Sequence, residues 1–357
     1  MISGQGNILP KLNYEVNNLL TAIWAILIFC SLIFIHEFGH FAIAKLSRMT
    51  VHEFSIGMGP KILGFKTKNT EYSLRIFPIG GYVKLEGEDG DSTDPNAFCN
   101  KSALKRFAVL FAGAFMNILL GFVIFMIIFS SVGSVTTNRI DTVMNNSAFY
   151  DAGIKKGDVI LKMEGEKFSG RIYSYADISS FVMINGSDEA KITFKRGEKE
   201  FTRIISPKYM KSEERTLFGF TPTNEKITIK NIFYHSFHRC FYVIKTIILS
   251  LWWLVAGIVP ASGMSGPVGI VKEIGNAAKY GWQNVLSLAG LISVNLGVMN
   301  LLPIPALDGG RILFLFIEKI RGKKMNPERE GLINFIFFAI LILLMITITF
   351  GDILKLL

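Results

Sequence analysis

"AILIFCSLIFIHEFGHFAIAKL", residues 25–46, makes two demands on one helix. Ala25–Ile35 carries no charge, and then His36, Glu37 and His40 arrive with no turn signal before them. The uncharged run reaches back to Leu19, so Leu19–Ile35 is a window of 17 residues without a charge. Three more such windows follow: Phe107–Phe129, Val285–Leu307 and Gly331–Gly351. Each is long enough to cross about 30 Å of hydrocarbon as a helix. Half of the 357 residues are apolar and 30 are Phe, more than an ordinary soluble domain carries. The expected fold is a polytopic α-helical membrane protein with four spans.

A fifth run, Phe241–Val259, is interrupted by Lys245, which leaves only Thr246–Val259 uncharged before Pro260. That length and the Trp252–Trp253 pair suit an interfacial helix at about 241–259 better than a span. The formal charge of +10 is read through the positive-inside rule. Lys45–Arg106 and the short loop Glu318–Glu330 are both basic, whereas Lys11 alone precedes the first window. Both basic loops are expected in the cytoplasm, with the N-terminus and the 134–240 region outside the cell membrane. No nucleic-acid motif is present. Cys30, Cys99 and Cys240 show neither disulfide nor thiolate-zinc spacing.

Residues 135–208 differ in kind. "AGIKKGDVIL" is a turn feeding a strand, "YADISSFVMI" reads as a helix, and "EAKITFKRG" with "KEFTRIISP" reads as a hairpin. These elements predict one small inserted α+β domain. The expected organisation is therefore 1–134, a first part of the membrane core with spans at about 19–45 and 105–132. Next come 135–208, the outside domain, and 209–284, a connector. Residues 285–357 complete the core, with spans at about 283–317 and 331–351.

Ionisable groups at membrane depth are costly and face a protein interior, a water-filled cavity or a metal. His36 and His40 stand at i and i+4, on one helical face, and can share one ion. His-Glu-x-x-His is the spacing of two zinc-binding histidines with a glutamate base. A catalytic zinc needs a third protein ligand and an open position. Asp308, in "NLLPIPALDGG" (300–310), reaches a similar depth at the end of the third window. Pro303 and Pro305 break the helix there, as is tolerated where backbone lines a cavity. His52 lies in a loop, and His235 and His238 are expected at the opposite interface. In "TEYSLRIFPIGGYVKL" (70–85), Tyr72, Leu74 and Ile76 alternate with polar residues. That is a strand with one apolar face, part of a membrane-associated β-hairpin at about 54–88. An unpaired edge on it would hold a substrate extended.

"HEFGH", "FAGAFMN" (111–117), "SGPVGI" (265–270), "NLLPIPALDGG" and an insert resembling a bacterial PDZ domain together resemble the site-2 protease family of intramembrane zinc metalloproteases, most closely the RseP type with one PDZ domain. The resemblance covers almost the whole chain. It implies that His36, His40 and Asp308 hold Zn²⁺ and that Glu37 moves protons. It implies that Asn300 either binds substrate or the oxyanion, or caps the break. It implies substrates that are single-span membrane proteins or membrane stubs, cut near the cytoplasmic face of the bacterial plasma membrane. Peptide ends are the expected ligands of the PDZ-like insert. The alternative is a non-enzymatic scaffold with a structural zinc site; a metal transporter would need polar groups through more spans than two.

Overall fold

The computed structural model describes residues 8–88, 90–211, 213–258, 265–323 and 325–355. The chain divides into two compact units, Met1–Phe125 with Val243–Leu357, and Met126–Tyr242.

The first unit is helical around one bent sheet. Helix α1 (Ile8–Leu46) packs on strands β1 (Val51–Lys66) and β2 (Glu71–Leu85). Helix α2 (Ala103–Val132) leads out of this unit, and α5 (Ile229–Val255) leads back in after the intervening elements β3–β10, α3 and α4 of the insert. Helices α6 (Pro267–Lys279), α7 (Trp282–Asn300), α8 (Asp308–Arg321) and α9 (Pro327–Leu354) complete it. α2 and α7 approach at small residues: a Cβ on Gly297 would stand 2.7 Å from the Ala114 carbonyl oxygen. The buried Asp352 of α9 accepts from the backbone N–H groups of Gly266 and Gly269, each at 2.8 Å, at the start of α6. "SGPVGI" thus supplies two helix-terminal donors to a carboxylate at the far end of the apolar run of α9.

β1 and β2 form more than a two-stranded hairpin. Each bends in its middle, at Gly57–Gly59 and at Pro78–Gly81, so four segments lie side by side. Residues 71–75 pair on one flank with 53–56 and on the other with 61–66. Residues 81–85 pair with 51–56. The free edges are therefore 61–66 and 81–85. Arg75 ties the segments together, donating to Glu53 at 2.7 Å, Ser55 at 3.1 Å and the Gly59 carbonyl at 2.6 Å. Burial raises the Glu53 carboxyl, but hydrogen bonds from Ser73, Arg75 and Tyr82 outweigh it and bring its pKa down to about 2. Met58, Ile62, Leu63, Phe65, Ile76 and Phe77 are exposed on this sheet.

The second unit holds a six-stranded sheet. β3 (Ser134–Val143), β4 (Val159–Glu164), β6 (Ala190–Arg196) and β7 (Lys199–Ile205) run in the order β10-β3-β4-β6-β7, with β5 (Ser169–Arg171) paired to β4 and β10 spanning Phe220–Lys226. The expected helix is α4 (Tyr175–Asn185), opened by a Ser174–Asp177 capping box. The expected hairpin is β6–β7. Ile140, Phe149, Ile160, Phe181, Ile192 and Phe194 fill the core. The buried Asp158 of "KKGDV" takes two 2.7 Å hydrogen bonds from Arg196. The sheet runs past residue 208, because β10 closes on β3 and returns the chain to the insert's starting edge. The remaining short elements are α3 (Ala148–Asp151), β8 (Lys208–Met210) and β9 (Arg215–Leu217).

Among the described residues five helices are long and apolar enough to cross a membrane, counting α5. α5 starts at Ile229, well before the expected 241, and residues 259–264 lie outside the described ones. The difference has a physical cause. His235 is buried against Phe129, and His238 stacks on Tyr173 with ring centroids 4.3 Å apart. His235, expected at the interfacial surface, is thus buried within the second unit, and His238 is half-buried there.

Candidate active site

The site forms where α1, α2 and α8 meet. His36 and His40 project from one face of α1, as their spacing requires. Asp308 is the first residue of α8. Gly309 and Gly310 let that turn lie on the broken segment: a Cβ on Gly309 would meet the Leu302 carbonyl at 2.2 Å, and one on Gly310 the Ile304 carbonyl at 2.3 Å. Ala306 adopts φ 74° and donates its N–H to Asn334 Oδ1 at 3.0 Å. The sequence "PIPALDGG" thus folds back over seven residues, 301–307, and presents Asp308 to α1.

The side chains converge. His36 Nε2 and His40 Nε2 are 3.2 Å apart, and Asp308 Oδ2 is 3.3 Å from the first and 3.4 Å from the second. A tetrahedral ion held at about 2.0–2.1 Å has ligand atoms roughly 3.3–3.4 Å apart, so this triangle is one face of such a tetrahedron. Asp308 Oδ2 is buried with no hydrogen-bond partner. His40 Nδ1 lies 2.8 Å from the Val109 carbonyl, which only accepts, so Nδ1 carries a proton and the neutral ring has its lone pair on Nε2, toward the triangle. Donor set, spacing and orphaned oxygen all fit zinc. Among the described residues this is the one group of three metal-competent side chains.

Helix α2 contributes space as well as a carbonyl. A Cβ on Gly113 would stand 2.3 Å from His40 Nε2 and 2.9 Å from His36 Cε1. Any larger residue there occupies the volume of the ligands. Asn117, one turn on, is buried and places its amide 3.2 Å from His36 Nδ1. Sequence reasoning noted "FAGAFMN" without giving these residues roles. The available signal was a glycine and an asparagine four apart in an uncharged span.

Glu37 lies beside the triangle, next to the sheet: a Cβ on Gly81 would be 2.9 Å from Glu37 Cγ. Residue 81 must be glycine for β2 to lie so close. Asn300 is the last residue of α7, half-buried at the start of the break. Tyr72 and Leu74 are corrected here. They sit in an interior segment paired on both flanks, Tyr72 with Phe54 and Phe65, Leu74 with Ile56 and Leu63. Neither offers a free edge; Ile76 lies beyond the two-sided pairing and is exposed. His52 pairs with Glu86 at 2.6 Å, apart from the triangle.

Two imidazoles and a carboxylate at the end of apolar helices, beside a further carboxylate, define the site class of a membrane zinc metalloprotease. Comparison with known proteins agrees. The model of peptidase family M50 matches residues 24–344, and the chain belongs to that family. A Clostridium acetobutylicum protein provisionally named a zinc metalloprotease is 41% identical over 92% of this chain and 96% of its own length. The regulator of sigma-W protease RasP of Bacillus subtilis is 31% identical over 94% and 99%. The zinc metalloprotease RasP of Bacillus licheniformis is likewise 31% identical over 94% and 99%. The chain is a multi-pass membrane zinc metalloprotease, and the non-enzymatic scaffold falls away.

Proposed function

We propose that the chain is an intramembrane endopeptidase that cuts single-span membrane proteins, or the stubs left after an outer cut, near the cytoplasmic face of a bacterial plasma membrane. The observation that carries this reading is the His36–His40–Asp308 triangle at the ends of apolar helices, with Glu37 and a sheet edge beside it. His36, His40 and Asp308 hold the zinc. The bound ion supplies a Lewis acid that acidifies water and polarises the scissile carbonyl. Glu37 accepts the proton of the attacking water and delivers it to the leaving nitrogen. Asn300, at the open end of α7, donates to the substrate carbonyl.

A transmembrane substrate is helical and must be unwound before water can attack. The free edge 81–85, which begins at Gly81 against Glu37, is the better holder for an extended substrate than residues 72–76. Edge addition would satisfy the backbone groups that unwinding exposes. The insert is read as a PDZ-like filter that turns away substrates with a bulky outer domain and admits trimmed stubs. The relative named a regulator of sigma-W protease supports an anti-sigma factor as one substrate class; signal-peptide remnants are a second.

The test is Glu37→Gln in membranes with a single-span substrate trimmed on its outer side. Zinc is expected to stay at one per chain while cleavage stops. Cleavage that persists would remove Glu37 from the mechanism.

A further inference from the structure

We propose that Asn117 is a positioning residue that fixes the tautomer of His36 through its side-chain oxygen, so that α2 orients both imidazoles toward the ion. The inference rests on the zinc reading above and extends it to residues outside the ligand set.

The argument starts from the two rings. His40 donates Nδ1–H to the Val109 carbonyl. His36 points Nε2 at His40 Nε2 and Asp308 Oδ2, and its Nδ1 at Asn117. An imidazole that offers Nε2 to a metal while neutral carries its proton on Nδ1, and that proton needs an acceptor. Asn117 is the side chain there. Its Nδ2 stands 3.2 Å from His36 Nδ1, while its Oδ1 is buried with no partner. Two N–H groups facing each other cannot form a hydrogen bond, and no donor holds Oδ1 where it is. The two ends of the amide are nearly isosteric, so a half-turn about the last bond places Oδ1 against His36 Nδ1–H. The turned amide accepts where Nδ2 could only donate.

The backbone fixes this asparagine. Val109, Gly113 and Asn117 are spaced by four and lie along one stripe of α2. The first supplies a carbonyl to His40, the second leaves room for both rings, and the third reaches His36. Ser293 of α7 donates to the Asn117 carbonyl at 2.7 Å and sets the height of the stripe. One helix thus aligns both histidines although it supplies no ligand.

The experiment compares Asn117→Leu, which has similar volume and no acceptor, with Asn117→Asp, which keeps an oxygen on either face. Zinc affinity is read by chelator competition on the purified chain in detergent. Asn117→Leu is expected to bind zinc about 10–100-fold more weakly, with Asn117→Asp within a few-fold of wild type. A second readout does not use activity. Nitrogen-15 histidine spectra of the zinc-loaded wild-type chain, which has five histidines, are expected to show His36 carrying its proton at Nδ1. In Asn117→Leu that Nδ1–H should exchange with water faster. Equal zinc affinity in all three chains, or His36 protonated at Nε2 in wild type, overturns the proposal. Either result would leave the zinc reading standing. That reading fails separately, if His36→Ala retains zinc.

Discussion

Glu37 lies beside the His36–His40–Asp308 triangle and against Gly81 of the bent sheet, and the two regions are built on opposite rules. The centre is closed. Its three converging side-chain atoms lie within 3.4 Å of one another, and a Cβ on Gly39, Gly113, Gly309 or Gly310 would stand under 3 Å from backbone or ring atoms. The sheet is open. Two of its four segments have a free flank, and its outer residues are exposed apolar side chains. An ion needs fixed atoms and punishes displacement. A substrate backbone needs unpaired donors and acceptors and an approach to them. Damage to the first region should therefore abolish chemistry, and damage to the second should only slow it.

The largest effect is expected at the ligands. Asp308→Ala and His36→Ala should each lose zinc and all cleavage, whereas Glu37→Gln should keep the metal and lose about 10²–10⁴-fold in turnover. Metal analysis beside a cleavage assay separates the two outcomes. Zinc bound normally by Asp308→Ala would place the third ligand elsewhere.

Next comes Gly113→Ala, one methyl group on a helix that carries no ligand. Overpacking of a tight site costs about 1–3 kcal/mol. Here it falls on the imidazoles, so zinc affinity should drop by roughly the corresponding tenfold or more while the helices stay folded. Chelator competition measures the drop, with circular dichroism as the folding control. Unchanged affinity would mean that the rings can move away.

The sheet should respond more mildly and by position. Proline at Tyr82 and at Val83, tested separately, removes a backbone donor worth about 1 kcal/mol on the 81–85 edge. One of the two should slow stub cleavage about three- to tenfold without changing zinc content. Proline at Leu74 should instead loosen the whole sheet, seen as faster hydrogen exchange over 51–85. No effect at either edge position would move substrate holding to the 61–66 edge or off the sheet.

The smallest effect is a pH dependence. Glu53 has its pKa lowered to about 2 in the folded sheet, below its ordinary value of 4.5. A lowered carboxylate stabilises the fold above its ordinary pKa and loses that contribution as pH falls through the folded value. The sheet should therefore loosen between pH 4.5 and 2 in the wild-type chain. Glu53→Gln should be loose throughout. Hydrogen exchange corrected for intrinsic rate reads the difference, and identical profiles would remove Glu53 from the account.

The same contrast explains what could be read in advance. That His36 and His40 share a face was legible because helix spacing is local, and the approach of Asp308 because two prolines and two glycines mark a break in an uncharged run. Tyr72 and Leu74 were misread because alternation reveals a strand's faces and not its partners. The folding back of β1 and β2 that makes 71–75 interior depends on bends at Gly57–Gly59 and Pro78–Gly81, which a period-two pattern does not register. The length of α5 was missed for a related reason. His235 and His238 look solvent-bound to a charge count, yet their packing on Phe129 and Tyr173 is made by chain far away in sequence. Val109 was invisible altogether, since a backbone carbonyl leaves no trace in residue type.

The central claim is that two imidazoles and one carboxylate hold the ion. Zinc K-edge X-ray absorption on the purified, zinc-loaded chain tests it most directly. The account predicts nitrogen and oxygen neighbours at about 2.0–2.1 Å, with multiple scattering from two imidazoles and no sulfur. Asp308→Ala should remove the zinc from the sample. A sulfur neighbour near 2.3 Å, or scattering from fewer than two imidazoles, would contradict the ligand set on which the rest depends.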